Sequence, residues 1–358
     1  MATGWTGATR SFWRLLPPAA AVLYPHAVGA LYESGRLLDR LTGPREAVAW
    51  FAIVASAALV YGVPAVGFAV ASKLGRHQSP SSSDLLARRV AHLTVASPAL
   101  FVLLGVVLYL LRIGNSESVV WSIGWLTLCA AVASTLRGRT AETAAPIPPN
   151  PLSLRIAHGT SALLIVGVFL AWHLLNHTTA AFSPEFNQVM MRALRKWYRS
   201  ETVQPVLVTL MLFQVGSGAI LLWRATAMPG DLVRTLQTST GAFLTAFIVS
   251  HLNAVFVLGR LVTKADTTFL WASGAPVGLL PDVWNVRLIP HYSLGVWFVI
   301  LHSGVGLRGV LRAHGTSATT ANRIAWVVGI LGAALAITIT IAQLGIHGTA
   351  AQHGYTVP

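Results

Sequence analysis

The sequence has few charged residues and a single cysteine. Charged residues make up only 10% of the 358 residues, whereas apolar residues make up 54%, and the mean hydropathy is +0.64. An average soluble domain has about 25% charged residues, so this composition indicates a protein of the lipid bilayer. The lone cysteine, Cys129, excludes a disulfide framework and a cysteine-ligated iron–sulfur cluster held by this chain alone.

The charged residues lie outside eight uncharged runs of 19 to 27 residues. These runs cover 47–72, 90–111, 118–136, 156–182, 202–223, 235–259, 288–307 and 324–346. A helix that crosses a hydrocarbon core of about 30 Å needs ~20 residues at about 1.5 Å each. The sequence therefore predicts an all-α, polytopic integral membrane protein with about eight transmembrane helices.

The formal net charge is +14, with 25 Lys and Arg against 11 Asp and Glu. In a soluble protein this excess would suggest nucleic acid, but here the basic residues stand singly or in small groups at the ends of apolar runs. Anionic lipid headgroups are therefore the expected partner, and we expect no nucleic-acid binding.

Proline-rich sequence separates the third and fourth runs and ends any helix there, at Pro146, Pro148, Pro149 and Pro151. We therefore divide the chain into an N-terminal interfacial segment, a three-helix membrane part, a five-helix membrane domain and a C-terminal tail. Their predicted bounds are 1–46, 47–145, 152–346 and 347–358. Within the five-helix domain, 183–201 has apolar residues near helical spacing and several basic ones. This pattern predicts a helix lying in the membrane interface, with a solvated linker as the alternative.

Histidine is the ionisable residue type that the uncharged runs contain in number. None of the eleven carboxylates lies in a run, whereas seven of the twelve histidines do: His92, His158, His173, His177, His251, His291 and His302. Ion-coupled transporters usually need an intramembrane carboxylate, and hard metal ions prefer oxygen ligands. Neutral imidazoles on different helices instead suit haem iron, whose axial coordination needs two ring nitrogens.

Two of these histidines belong to an internal repeat. Thr160-Ser161 precedes His173 by the same spacing as Thr238-Ser239 precedes His251, and Phe169 matches Phe247. The rise of a helix places His173 and His251 at one depth of the membrane.

A second set of residues is predicted near the other face of the membrane. His302 lies there together with His158, and His291 is an alternative to either. His177, one turn after His173, is a rival ligand, a cofactor partner or a helix contact. Arg308, six residues after His302, is the favoured partner of a cofactor carboxylate, with interfacial anchoring as its alternative.

These motifs resemble the haem-b membrane-anchor subunit of succinate dehydrogenase and fumarate reductase. The resemblance covers about 155–312 and is carried by the repeated Thr/Ser-to-His helices and by the sequence His302-Ser-Gly-Val-Gly-Leu-Arg308. It implies a cytochrome-b-like four-helix bundle in which His173 and His251 are the axial ligands of one haem b. His302 would hold a second haem, but Gln214 stands where the family has the fourth ligand. That second haem would therefore be absent, ligated by His302 alone, or ligated with His158 as the substitute.

The resemblance also implies partners and a location. These are soluble flavoprotein and iron–sulfur subunits, a quinone, and a cell membrane or another energy-transducing membrane. The chain itself shows no nucleophile, general base or carboxylate pair in its runs. We therefore expect a non-catalytic electron-transfer subunit; the alternatives are a haem-free small-molecule permease and a membrane anchor or assembly subunit.

Overall fold

The computed structural model describes residues 7–137 and 148–345, and these ranges are helical with no strand. The helices are α1 (Gly7–Val22), α2 (Tyr24–Arg40), α3 (Glu46–Gly75), α4 (Ser82–Val95), α5 (Ser97–Leu110), α6 (Glu117–Arg137), α7 (Leu152–Ile165), α8 (Ala171–Thr179), α9 (Pro184–Tyr198), α10 (Val203–Ala225), α11 (Leu232–Leu252), α12 (Phe269–Ala272), α13 (Leu288–Ala313) and α14 (Ala318–Gln343). Two π-helical segments, Val166–Leu170 and Asn253–Val262, continue α7 into α8 and extend α11. Short 3-10 turns, Gly43–Arg45 and Asn285–Arg287, precede α3 and α13.

The prediction of about eight membrane-spanning helices is confirmed. Among the described residues, seven helical stretches are long and apolar enough to span, and two bent helix pairs raise the number to nine if each is one span. The seven are Gly43–Gly75, Glu117–Leu136, Leu152–Thr179, Val203–Ala225, Leu232–Val262, Asn285–Ala313 and Ala318–Gln343. The chain is therefore an integral membrane protein whose apolar helices contact lipid.

The structure differs from the sequence prediction in two bent helix pairs. The uncharged run 90–111 corresponds to α4 and α5, which meet at a bend of 71°. Helix α1, from Phe12 onward, and α2 lie in the predicted interfacial segment and meet at 45°. In both pairs a proline stands at the start of the second helix, Pro25 in α2 and Pro98 in α5, where its ring cannot continue the preceding helix.

The helices form two compact units that do not follow the order of the chain. The first comprises the described residues up to Leu152 together with Gly218–His251, and the second comprises Ser153–Ser217 with the described residues from Leu252 onward. The predicted four-part division, with its five-helix domain and cytochrome-b-like bundle, stays a prediction. Its tail at 347–358, with His353, and Pro146 lie outside the described residues.

The first unit is held together by aromatic and polar contacts between its helices. Tyr24, Phe101 and Trp121 form edge-on and tilted ring contacts with centroids 5.3 to 5.9 Å apart, and the Trp121 indole donates to the Ala21 carbonyl at 2.7 Å. Arg14 binds Asp84 at 2.6 Å and so joins α1 to α4. The short distances show helices that pack directly on one another.

The second unit contains a close helix pair, α13 and α14. A Cβ on Gly304 would lie 2.9 Å from Val328 Cγ1, and one on Gly332 would lie 2.8 Å from Ile300 Cγ2. The Trp297 indole donates to the Gly329 carbonyl at 3.1 Å across the same interface. Small residues therefore let the two backbones approach, as is common in membrane helix pairs.

The segment 183–201 is largely helical, as predicted for an interfacial helix. Ser183 caps α9 by accepting from the Phe186 amide at 3.1 Å, and Pro184 occupies the first turn, where a missing N–H costs nothing.

Candidate functional site

Each histidine of the predicted repeat adjoins a π-helical segment. The segment Val166–Leu170 ends just before α8, in which His173 is the third residue. In α11, His251 is the last residue but one, and the segment Asn253–Val262 begins directly after Leu252. A π segment widens the helix and changes the direction of nearby side chains, and such segments are frequent at functional sites.

The same two histidines also share an aromatic contact within their own helices. The ring of Phe169 stacks on His173 with centroids 4.8 Å apart and an interplanar angle of 24°. The ring of Phe247 stacks on His251 with centroids 5.7 Å apart and an angle of 12°. An aromatic contact of this kind restricts rotation of the imidazole, so both rings are held in defined orientations. The residues Phe169 and Phe247, which match in the sequence repeat, therefore make the same contact in the two helices.

In the second unit, His173 is part of a longer row of rings. His177 meets it edge to face with centroids 4.6 Å apart, and Phe269 contacts His177 from the other side at 5.7 Å. Tyr198 in turn meets Phe169 edge to face at 5.2 Å. Because the two imidazoles touch, no planar macrocycle fits between His173 and His177. The contact therefore rules out this pair as the two axial ligands of one iron.

His158 is hydrogen-bonded to Ser217. The Ser217 hydroxyl donates its proton to the Phe213 carbonyl at 2.6 Å, and His158 Nδ1 lies 2.8 Å from the same hydroxyl oxygen. When the hydroxyl donates to the Phe213 carbonyl, it accepts from Nδ1–H of His158, and the lone pair of this tautomer is on Nε2, where a metal could bind it. A ring nitrogen fixed by a second hydrogen bond is the usual arrangement of a metal-binding histidine.

Gln214, which the resemblance puts at the place of a fourth ligand, makes contacts between helices. Its side-chain amide donates to the His158 carbonyl at 2.7 Å and to the Ser161 hydroxyl. The amide thus fastens α10 to α7 at the level of His158. The sequence marked Gln214 as a departure from the family pattern, but only coordinates show this role.

Arg308 and His302 lie on α13. The Arg308 Nε donates to Asn322 Oδ1 at 2.6 Å, so this arginine joins α13 to α14, and its predicted role toward a cofactor stays a prediction. His302 is half-buried. On the same helix His291 is only 2% exposed, which makes it an interior residue.

His92 has a structural partner. Its Nδ1 lies 2.9 Å from the Ser239 hydroxyl, and both side chains are buried in the first unit. Within 7–137 and 148–345, no group of three or more His, Cys, Asp or Glu side chains is arranged to hold a metal ion. The single-histidine positions described above are the remaining candidates for ligation.

We compared the chain with protein-family models, curated proteins and solved structures, and none of them matches. The resemblance to the succinate dehydrogenase anchor therefore rests on the histidine motifs themselves.

Proposed function

We propose that this chain is a membrane b-type cytochrome in which His173 and His251 are axial ligands of a haem b. The observation that supports this most directly is the shared local geometry of the two histidines. Each lies in an apolar span, each stacks on the phenylalanine four residues earlier, and each adjoins a π segment. If His173 and His251 were two unrelated packing residues, we would not expect them to share all three features.

The residues present fit the chemistry of such a ligand set. Axial coordination needs neutral imidazoles with fixed ring planes, which stacked phenylalanines provide in an apolar span. When bound, haem b supplies a reversible one-electron carrier. The chain's own residues would hold the iron, orient the imidazoles and exclude water. His158, whose Nδ1 is hydrogen-bonded to Ser217, and His302 are the candidates for a second site.

The distribution of carboxylates supports electron transfer over ion-coupled transport. Of the five long spans between 152 and 343, three contain histidine and none contains Asp or Glu. A coupled transporter usually carries such a residue inside the membrane, whereas bis-histidine haem needs none. Electrons would then pass between this haem and a quinone or a partner subunit.

An absorption spectrum of the purified chain, produced with a full haem supply, tests the proposal. We expect a Soret band and a sharp α-band on reduction, with pyridine quantitation giving at least one haem per chain. His173→Ala and His251→Ala should each abolish the same haem signal, because loss of either ligand opens the coordination of one iron.

His92→Asn is the matched control, because His92 is also an intramembrane histidine but is bound to Ser239. It should keep the spectrum of the unaltered chain. A colourless chain, or haem that survives both ligand substitutions, would contradict the proposal and favour a haem-free permease or anchor.

A further inference from the structure

Three arginines of the second unit converge at one end of its spans. Arg195 lies in α9, Arg199 follows that helix directly, and Arg260 lies in the π segment two residues before its span ends. Arg195 Nη2 donates to the Thr267 carbonyl at 2.7 Å, and Arg199 Nη2 donates to the Thr267 hydroxyl at 2.9 Å. Burial, and then the charges of Arg195 and Arg260, lower the pKa of Arg199, as expected for neighbouring cations.

The positive charge of this arginine cluster exceeds the negative charge that it contacts. Arg195 binds the Asp266 carboxylate at 2.6 Å, whereas Arg260 donates to the neutral Gln204 amide oxygen at 2.8 Å. Three guanidinium groups against one carboxylate leave two positive charges. Asp266 is also 67% exposed, so solvent screens its contribution.

Each of the three arginines also has an unused donor. The Nε atoms of Arg195, Arg199 and Arg260 are buried and make no hydrogen bond within the part of the chain that the structure describes. A buried donor without an acceptor is costly, and a guanidinium is particularly so. The cluster therefore lacks acceptor oxygens as well as negative charge.

The surroundings of the cluster place it at the membrane surface. Helix α9 joins the span that ends at Thr179 to the one that begins at Val203. Its exposed side carries the apolar residues Phe186, Val189 and Trp197 and the cations Arg192 and Lys196, and the exposed Phe182 lies just before the helix. Such a side is typical of a helix lying among headgroups, with its apolar side chains toward the acyl region.

We propose that Arg195, Arg199 and Arg260 bind the phosphate of an anionic phospholipid. A phosphate supplies several acceptor oxygens and a negative charge, and guanidinium groups bind it through paired N–H donors. A basic pocket at the membrane boundary of helices is a recognised kind of site for such headgroups. Free phosphate shares this chemistry, but the position beside lipid-exposed apolar residues favours the lipid. The proposal does not depend on haem binding.

Native mass spectrometry of the detergent-purified chain measures the bound lipid. We compare the unaltered chain with Arg199→Gln/Arg260→Gln after adding phosphatidylglycerol, phosphatidylcholine or inorganic phosphate. We expect the unaltered chain to retain phosphatidylglycerol over phosphatidylcholine, and the double variant to retain about tenfold less phosphatidylglycerol. Arg192→Gln/Lys196→Gln is the matched control: it removes the same charge from exposed positions of α9 and should change retention less than about twofold.

Asp266→Asn provides a test that does not rely on loss of function. Removing the one carboxylate that competes for Arg195 should raise the retention of phosphatidylglycerol. Equal retention in all variants, or equal loss in the control, would overturn the proposal. Retention of phosphatidylglycerol that is unchanged in the double variant, while retention of inorganic phosphate falls, would also overturn the proposal, because the cluster would then bind free phosphate.

Discussion

At the scale of single residues, Arg88 shows how a cation is accommodated inside the first unit. Its side chain is only 2% exposed, and its guanidinium donates to the main-chain carbonyls of Leu74, Thr226 and Met228 at 2.6 to 2.9 Å. Leu74 lies in the last turn of α3, and Thr226 and Met228 follow the C-terminal end of α10, where helix dipoles concentrate partial negative charge. Arg88 therefore joins the ends of two helices.

Arg88→Gln should destabilise the protein strongly. The substitution removes the Arg88 donors of the Thr226 and Met228 carbonyl oxygens, at about 1–3 kcal/mol for each, whereas the Leu74 carbonyl keeps the His77 amide as a donor at 3.3 Å. Arg89→Gln is the control, because Arg89 is half-buried, makes longer bonds of 3.3 and 3.4 Å and lies over the Trp223 ring. Thermal unfolding followed by circular dichroism in detergent should show a clearly lower Tm for the Arg88 variant; equal Tm values would contradict the role assigned to Arg88.

The sequence could indicate which residue types matter but not what each one contacts. The spacing of His173 and His251 predicted a repeat, and the structure adds matching Phe–His stacks to it. The roles of Gln214 and Arg88 were not predictable, because both bind main-chain carbonyls of other helices. Any segment offers such carbonyls, so no residue pattern marks the partner.

At the scale of secondary structure, the uncharged runs located the spans because length and apolarity are enough to identify a membrane helix. They could not show where a span changes its pitch. The π segments at Val166–Leu170 and Asn253–Val262 contain ordinary apolar residues, and their distinction lies in backbone hydrogen bonding. The bend between α4 and α5 was likewise hidden within one run.

Two glycines of α13 have different surroundings: Gly304 lies against α14, and Gly306 faces open space. A Cβ at Gly304 would meet Val328 of α14 at 2.9 Å, whereas one at Gly306 would meet nothing within 4 Å. Gly304→Ala should therefore cost about 1–3 kcal/mol through overpacking, and Gly306→Ala should be neutral or slightly stabilising. Thermal unfolding of the two variants provides the comparison. A loss of haem without loss of stability in Gly306→Ala would instead show that a cofactor needs this glycine.

At the scale of the whole molecule, the number of spans depends on the bent pairs. We expect the pair Ser82–Val95 and Ser97–Leu110 to cross the membrane, because the uncharged run 90–111 is long enough for this and charged residues lie on both sides of it. Asn115 would then lie on the opposite face from Gln78 and on the same face as Thr42. If the pair is a re-entrant loop, Gln78 and Asn115 share a face.

Cysteine labelling distinguishes these two arrangements. In a Cys129→Ser background, single cysteines at Thr42, Gln78 and Asn115 are exposed to a membrane-impermeant maleimide in sealed vesicles of one orientation. We expect Thr42→Cys and Asn115→Cys to react from one side and Gln78→Cys only after the vesicles are opened, or the reverse for vesicles of the other orientation. Equal accessibility of Gln78→Cys and Asn115→Cys would show that the chain returns through the 71° bend to the face from which it started. The uncharged run 90–111 would then be long enough to span the membrane but would not span it.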